Sequence, residues 1–237
     1  MKTIIKIVTL LVITSLVISC MVTGVVGSKN VTTETRAFNT DFTGVKVSQG
    51  IEVQLTQDDE VSFTAEMDDN LHEHLVTEVD DDILRIYFDT NIRKRKASTI
   101  YLSMPIIRTI KTSSGADLYG TNTIDTDDLT IDSSSGSQVK LTVDAGSVDS
   151  QSSSGSGIEL EGRCNNFNAD SSSGSRIEAD DLNAKNVVAE ASSGSDIDVF
   201  ASESIDAKAS SGGSIDVDGK PKNKNIRKSS GGHVSVD

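Results

Sequence analysis

Ser133-Ser134-Ser135-Gly136-Ser137-Gln138-Val139-Lys140-Leu141 is followed nineteen residues later by Ser152-Ser153-Ser154-Gly155-Ser156-Gly157-Ile158-Glu159-Leu160. The two stretches are copies of one pattern, a Ser-Ser-Gly signature leading into alternating apolar and polar residues. The signature glycines are Gly115, Gly136, Gly155, Gly174, Gly194, Gly212 and Gly231, separated by 21, 19, 19, 20, 18 and 19 residues. Repetition at a near-constant period marks a repeat architecture. Three residues after each glycine stand Leu118, Val139, Ile158, Ile177, Ile197, Ile215 and Val234, all aliphatic. Two residues further on come Gly120, Leu141, Leu160, Ala179, Val199, Val217 and Val236, while Lys140, Glu159, Glu178, Asp198 and Asp216 lie between. Alternation with a period of two describes a strand with one buried face. Seven residues before the next glycine runs a second column, Leu129, Val148, Phe167, Val187 and Ile205. Two later runs a smaller one, Ile131, Ser150, Ala169, Ala189 and Ala207.

One such repeat cannot cover its own apolar face. Stacking copies at about 4.8 Å places like over like and buries a continuous ladder. The glycine column suits a turn that needs positive φ in every rung. The neighbouring serines suit hydrogen bonds to nearby backbone groups. A flexible Ser/Gly linker has no reason to keep aliphatic residues in phase over seven repeats. The pattern therefore predicts an all-β, single-stranded parallel β-helix (β-solenoid) with rungs of about 19 residues. Residues 113–237 form the solenoid, rising on the order of 30 Å. Basic Lys220-Pro221-Lys222-Asn223-Lys224 replaces the final second column and is expected to fold over the last edge, where charge opposes further pairing.

Residues 37–112 read as an N-terminal β region. Val45 and Val47, Ile51, Val53 and Leu55, and Val61, Phe63 and Ala65 alternate with polar neighbours, and 83–88 and 99–104 are further strand candidates. Asp68 to Leu75 reads as a helical turn or loop, and Asn91 to Lys96 as an exposed basic loop.

The first residues set the compartment. Lys2 and Lys6 precede an apolar run from Ile7 to Ile18, short of the roughly 20 residues that span a bilayer. This is a secretory signal layout, residues 1–19. Val17-Ile18-Ser19-Cys20 resembles the lipobox of bacterial lipoproteins, in which the cysteine is acylated and becomes the first residue. Two or three chains on Cys20 would hold the protein stably on a membrane. Residues 20–36 read as a lipid-anchored tether.

The chain carries 22 basic and 36 acidic residues, a net charge of −14. Removing Lys2 and Lys6 leaves 20 against 36. Nucleic acid and anionic lipid heads are not expected partners for such a surface. With Cys20 acylated only Cys164 remains, so no internal disulfide forms. Cys164 aligns with Ile124 and Ala145 and reads as a buried, inert thiol, with pairing to a second molecule the alternative.

Gly44-Val45-Lys46-Val47-Ser48-Gln49-Gly50-Ile51-Glu52-Val53, then Met104-Pro105 and Ile110 leading into Ser113-Ser114-Gly115, followed by recurring Ser-Ser-Gly units, resemble the putative auto-transporter adhesin, head GIN domain family over roughly residues 38 to 237. The resemblance implies a right-handed coil, which the usual chirality preference also favours, with the N-terminal strands as wider, irregular first rungs. It implies an exported lipoprotein of the Gram-negative cell envelope, with the outer membrane as the expected site. It brings no catalytic residues.

Chemistry is otherwise sparse. His72-Glu73-His74 presents two imidazoles, and Asp196 with Asp198 and Asp216 with Asp218 form Asp-x-Asp pairs. Neither amounts to a metal-site pattern, although weak calcium binding by the acidic faces is a candidate. No cofactor is expected. Two functions compete: a non-catalytic adhesin-like binding or structural module, with glycans or envelope proteins as candidate ligands, and a carbohydrate-active enzyme (polysaccharide lyase or hydrolase) on a β-helix scaffold. The second needs paired acids and bases in a cleft, which so tight a period leaves little room to build.

Overall fold

The structure, a computed structural model, describes residues 24–237. The signal segment and Cys20 lie outside the described residues. Nine strands precede the regular solenoid: β1 (Val25–Val26), β2 (Val31–Thr35), β3 (Gly44–Val47), β4 (Glu52–Gln57), β5 (Ser62–Asp68), β6 (Leu75–Asp80), β7 (Ile83–Phe88), β8 (Ile92–Lys94) and β9 (Ser98–Met104). Then come β10 (Thr109–Thr112), the long strands β11 (Asp117–Ser134), β12 (Gln138–Ser153), β13 (Gly157–Ser172), β14 (Arg176–Ala191) and β15 (Asp196–Ala209), and the short β16 (Ser214–Asp218), β17 (Asn223–Lys228) and β18 (His233–Val236). Together the coils make a parallel β-solenoid of about 7 turns with rungs of about 19 residues.

The aliphatic column is continuous. Leu118, Val139, Ile158, Ile177, Ile197, Ile215 and Val234 lie directly over one another in parallel register, none more than 5% exposed. Below Leu118 the column continues through Val53 of β4 and Ile100 of β9. Within one rung Ser137, Val139, Leu141, Val143 and Ala145 point inward, and after Gly146-Ser147 the buried set resumes at Val148, Ser150 and Ser152. That single slip of phase explains why a pattern of period two has an odd repeat length. It falls where a Cβ on Gly146 would come within 2.6 Å of the Asp127 carbonyl oxygen.

Each Ser-Gly corner takes two consecutive left-handed residues, for example Ser154 (φ 56°) and Gly155 (φ 72°). A left-handed backbone is where glycine avoids the steric cost that a Cβ brings, which accounts for the invariant second position of the corner. The amide of Gly136 donates to Ser154 O at 3.1 Å, and Gly155 to Ser173 O at 3.2 Å, so the ladder of hydrogen bonds runs round the corner. Inside, Ser156 Oγ accepts from Ser153 N at 3.1 Å and lies 2.9 Å from Ser152 Oγ. Ser175 repeats the arrangement one rung on, with 3.1 Å to Ser172 N and 2.9 Å to Ser171 Oγ. Buried hydroxyls are tolerated because each finds partners.

The chain begins the coil earlier than the serine signature does. β3, the Gln49-Gly50 corner (φ 61° and 67°) and β4 form a rung on which β10 and the start of β11 stack. Under it, β7 and β9 form a wider rung whose corner is lengthened to residues 89–97. β6 and β5 then add to β7 and β9 in antiparallel fashion, and β2 to β5, closing the N-terminal end. The 3-10 helix Asp69–His74 connects β5 to β6.

Two expectations change. From residue 24 the presumed tether belongs to the cap: β1 pairs with β8 and β2 with β5. Asn70 holds this entry by accepting from Ser28 N at 2.8 Å and donating to Val26 O at 3.0 Å, and Arg36 donates to Leu75 O at 2.8 Å. The basic stretch 220–224 does not fold over the edge. It leads into β17, which continues in parallel register with β15 from Ser204↔Asn223 to Ala209↔Lys228 and leaves its charges in water. Extending the ladder satisfies backbone groups that a folded-over loop would leave unpaired.

A polar groove along the solenoid as the candidate functional site

The phase slip after Ala145 recurs from rung to rung and makes a shallow axial groove. Its first part, about 360 Å³, is lined by Ser147, Val148, Asp149, Asn166, Phe167 and Val188 among others. A second part, about 470 Å³, continues past Asn186, Ser204 and Asp206 to Asn223 and Asn225. One edge is a column of short polar side chains in register: Asp128, Ser147, Asn166, Asn186, Ser204 and Asn223. Ser204 Oγ donates to Asn186 Oδ1 at 2.7 Å, Asn186 Nδ2 to Asn166 Oδ1 at 3.3 Å, and Asn166 Nδ2 to Ser147 Oγ at 3.5 Å. Each amide uses part of its hydrogen-bonding capacity along the column and has donors or acceptors left over.

The next column carries Thr130, Asp149, Asn168, Val188, Asp206 and Asn225. Val188 is an exposed apolar residue, 44% accessible, among polar neighbours. Asp149 Oδ1 is buried and has no hydrogen-bond partner among the described residues. A buried acceptor left without a partner costs stability until water or another donor reaches it. The surface thus combines donors, acceptors and a small apolar platform at rung spacing.

The sequence reading did not find this groove. Its signal was present as the recurrence of Ser or Asn ten to twelve residues after the turn glycines, at Ser147, Asn166, Asn186, Ser204 and Asn223.

Among the described residues, no three His, Cys, Asp or Glu side chains come together to hold a metal. The two imidazoles of 72–74 have separate partners: His72 Nε2 lies 3.1 Å from Thr32 Oγ1, and His74 Nδ1 3.0 Å from Asp89 Oδ1. Arg176 stands on the first Asp-x-Asp pair, 3.4 Å from Asp196 and 3.8 Å from Asp198. Burial holds the carboxyls of Asp117, Asp170 and Asp198 above their ordinary value; like-charged Glu52 and Glu190 add to the effect at Asp117 and Asp170. None of the three lines the groove. Cys164 is buried between Ala145 and Ala184 in its ladder, and burial pushes its thiol up to about 11. No helix among the described residues is long and apolar enough to cross a membrane.

The family model described as "Putative auto-transporter adhesin, head GIN domain" matches residues 41–221. No curated protein matches the chain. Among solved structures, a putative adhesin from Bacteroides fragilis superposes with a TM-score of 0.84 at 25% identity, covering 90% of this chain and 100% of that one. A putative adhesin from Parabacteroides merdae (TM-score 0.73, 16% identity, 90% and 98% covered) and a putative lipid binding protein from Parabacteroides distasonis (0.71, 17%, 90% and 99%) share the fold.

Proposed function

We propose that this chain, which belongs to the putative auto-transporter adhesin, head GIN domain family, is a non-catalytic adhesin-like module of the bacterial cell envelope, anchored by lipid on Cys20, that takes an extended polyhydroxyl chain along its groove. The observation that carries the reading is the rung-spaced column Ser147, Asn166, Asn186 and Ser204 beside exposed Val188 and the unpartnered oxygen of Asp149. A linear glycan presents hydroxyls at intervals near the spacing of stacked strands, about 4.8 Å, and its ring faces suit an apolar platform. Amides meet hydroxyls as both donor and acceptor. A rigid rod needs no rearrangement to offer such a row, which keeps the ordering cost of binding low.

A glycan array probed with the purified protein tests this. Binding of a linear polysaccharide that falls at least about tenfold in Asn166→Ala/Asn186→Ala, a loss of roughly 1.4 kcal/mol, supports it. Binding untouched by that pair and by Val188→Asp overturns the groove. Metabolic labelling with radioactive palmitate, lost in Cys20→Ser, tests the anchor. A carbohydrate-active enzyme would need an acid and a base facing one cleft, and the carboxyls raised by burial stand away from this groove. Sustained cleavage of a bound glycan, abolished by Asp149→Asn, would replace the binding reading with a catalytic one.

A further inference from the structure

Along the solenoid several cations are neutralised from rung to rung, Lys111 with Asp132 at 2.8 Å, Lys140 with Glu159 at 2.6 Å, Lys208 with Glu190 at 2.9 Å and Arg227 with Asp206 at 2.7 Å, while Lys185 and, near the last rungs, Lys220, Lys222 and Lys224 stand exposed. A separate basic face lies on the N-terminal cap, next to the chain's entry. An open depression of about 680 Å³ is lined by Gly27, Lys29, Arg93, Lys94, Arg95 and Lys96. Among the described residues Lys29, Lys94 and Lys96 make no ion pair, and all three are exposed. The loop that carries them is built rather than loose. Buried Asp68 accepts from Lys29 N at 3.0 Å, Lys96 N at 3.1 Å and Ala97 N at 3.2 Å, and Arg95 turns inward onto the Gly50 carbonyl. Asp68 thereby fixes the backbone and leaves the lysine ammonium groups outside.

The chain's entry coincides with this patch. β1 pairs with β8, Val25 against Ile92 and Val26 against Lys94, and Gly27 N donates to Lys94 O at 2.7 Å. Gly24 is four residues from Cys20, a reach of at most about 14 Å. Val26, 49% exposed, sits beside the lysines as an apolar side chain in water. An acylated Cys20 would therefore hold the basic face against the head groups.

We propose that this basic face binds the anionic, phosphate-bearing head groups of the membrane that carries the anchor, and so sets which end of the rod faces the lipid. The proposal rests on the anchor reading above. It replaces the expectation that an acidic protein shuns anionic lipid, because net charge averages over ends that are more than a Debye length, about 8–10 Å, apart. Basic residues next to a membrane attachment add binding strength that salt removes.

The protein contains no tryptophan, so Val26→Trp gives a sole reporter. The full-length lipoprotein carrying it, purified from membranes, is reconstituted with vesicles of phosphatidylcholine or of phosphatidylcholine and phosphatidylglycerol in equal amounts. Flotation and acrylamide quenching are then measured. The expected result is flotation with both, and quenching about twofold weaker on the anionic vesicles at low salt. High salt, or Lys29→Gln/Lys94→Gln/Lys96→Gln, should abolish the difference. Equal quenching on both compositions overturns the head-group proposal and leaves the anchor standing. Flotation on anionic vesicles alone overturns the anchor and upholds the basic face. Flotation on neither overturns both.

Discussion

Ser156 Oγ lies 2.7 Å from the carbonyl oxygen of Ser133, one rung below, and donates to it. The same oxygen accepts from Ser153 N at 3.1 Å. One buried hydroxyl thus closes its own corner and ties it to the preceding rung. Ser175 does the same to Ser152 O at 2.7 Å and Ser195 to Ser171 O at 2.6 Å. In these three corners the inward serine is a staple between rungs, which is why serine rather than an aliphatic residue fills the position there.

Ser156→Ala leaves the Ser153 amide and the Ser133 carbonyl without this partner in a buried corner. The expected loss is about 1–3 kcal/mol, read from urea unfolding. Ser154→Ala, at the exposed left-handed position of the same corner, is the comparison and removes no staple. Equal effects of the two changes would show that the staple contributes nothing.

The glycines of the last corners separate two kinds of requirement. Gly212 has φ 76°, and a Cβ there would meet nothing within 4 Å. Gly212→Ala should cost about 1–2 kcal/mol for the left-handed backbone alone, and Gly212→Asn less. Gly213 has no such φ, yet its Cβ would fall 2.6 Å from the Ala191 carbonyl carbon. It occupies the inward position that Ser156 and Ser195 fill in lower rungs, so Gly213→Ser restores the repeat in sequence and clashes in space. Thermal unfolding should place Gly213→Ser below Gly212→Ala; the reverse order would refute this reading of the last corners.

Much of this was legible because the solenoid writes each contact into the sequence several times. The column from Leu118 to Val234 shows in the spacing of the glycines, since one side chain per rung has one environment. The cap has no such redundancy. Gln49-Gly50 makes the same corner as Ser154-Gly155 without the serine signature, and alternation in Phe63-Thr64-Ala65 does not say that β5 runs antiparallel to β9. The entry from Val25 to Thr35 is held by Asn70, 44 residues from its acceptor Val26, and by the adjoining Arg36, whose acceptor Leu75 is 39 residues away, and no local pattern encodes those contacts. The groove was missed because its wall is outward-facing, and Ser, Asn and Asp there resemble ordinary solvated positions.

Cys164 gives the chain a pH dependence of known sign. Burial favours the neutral thiol and pushes its value up to about 11, above the roughly 8.5 of an exposed thiol. The folded state then holds its proton more tightly than the unfolded one. This contribution is fully present below about pH 8.5 and is lost as pH rises toward about 11. Cys164→Ala matches Ala145 and Ala184 in the adjoining rungs and should fold with the alkaline loss reduced. Denaturation midpoints of both proteins across that range check it, and parallel curves would contradict it. In the folded protein the thiol should react with Ellman's reagent only at the rate of unfolding.

The two ends of the rod should not be equally firm. β6 and β5, reinforced by β2, cover the first rungs, whereas β17 is exposed along its whole length and β18 pairs only with β16. In a stack where each rung touches its neighbours, an end rung has one interface where an inner rung has two. Amide exchange should therefore be slowest in β12, β13 and β14 and fastest in β17 and β18, opening from the C-terminal end inward. Ile158→Ala removes a side chain packed between Val139 and Ile177 and should cost about 2–5 kcal/mol, accelerating exchange throughout the coil. Val234→Ala removes one that has Ile215 on a single side and should cost less, accelerating exchange in the last rung alone. If Val234→Ala loosened β13 as much as Ile158→Ala does, the rungs would be melting as one block and the nearest-neighbour account of this solenoid would fail.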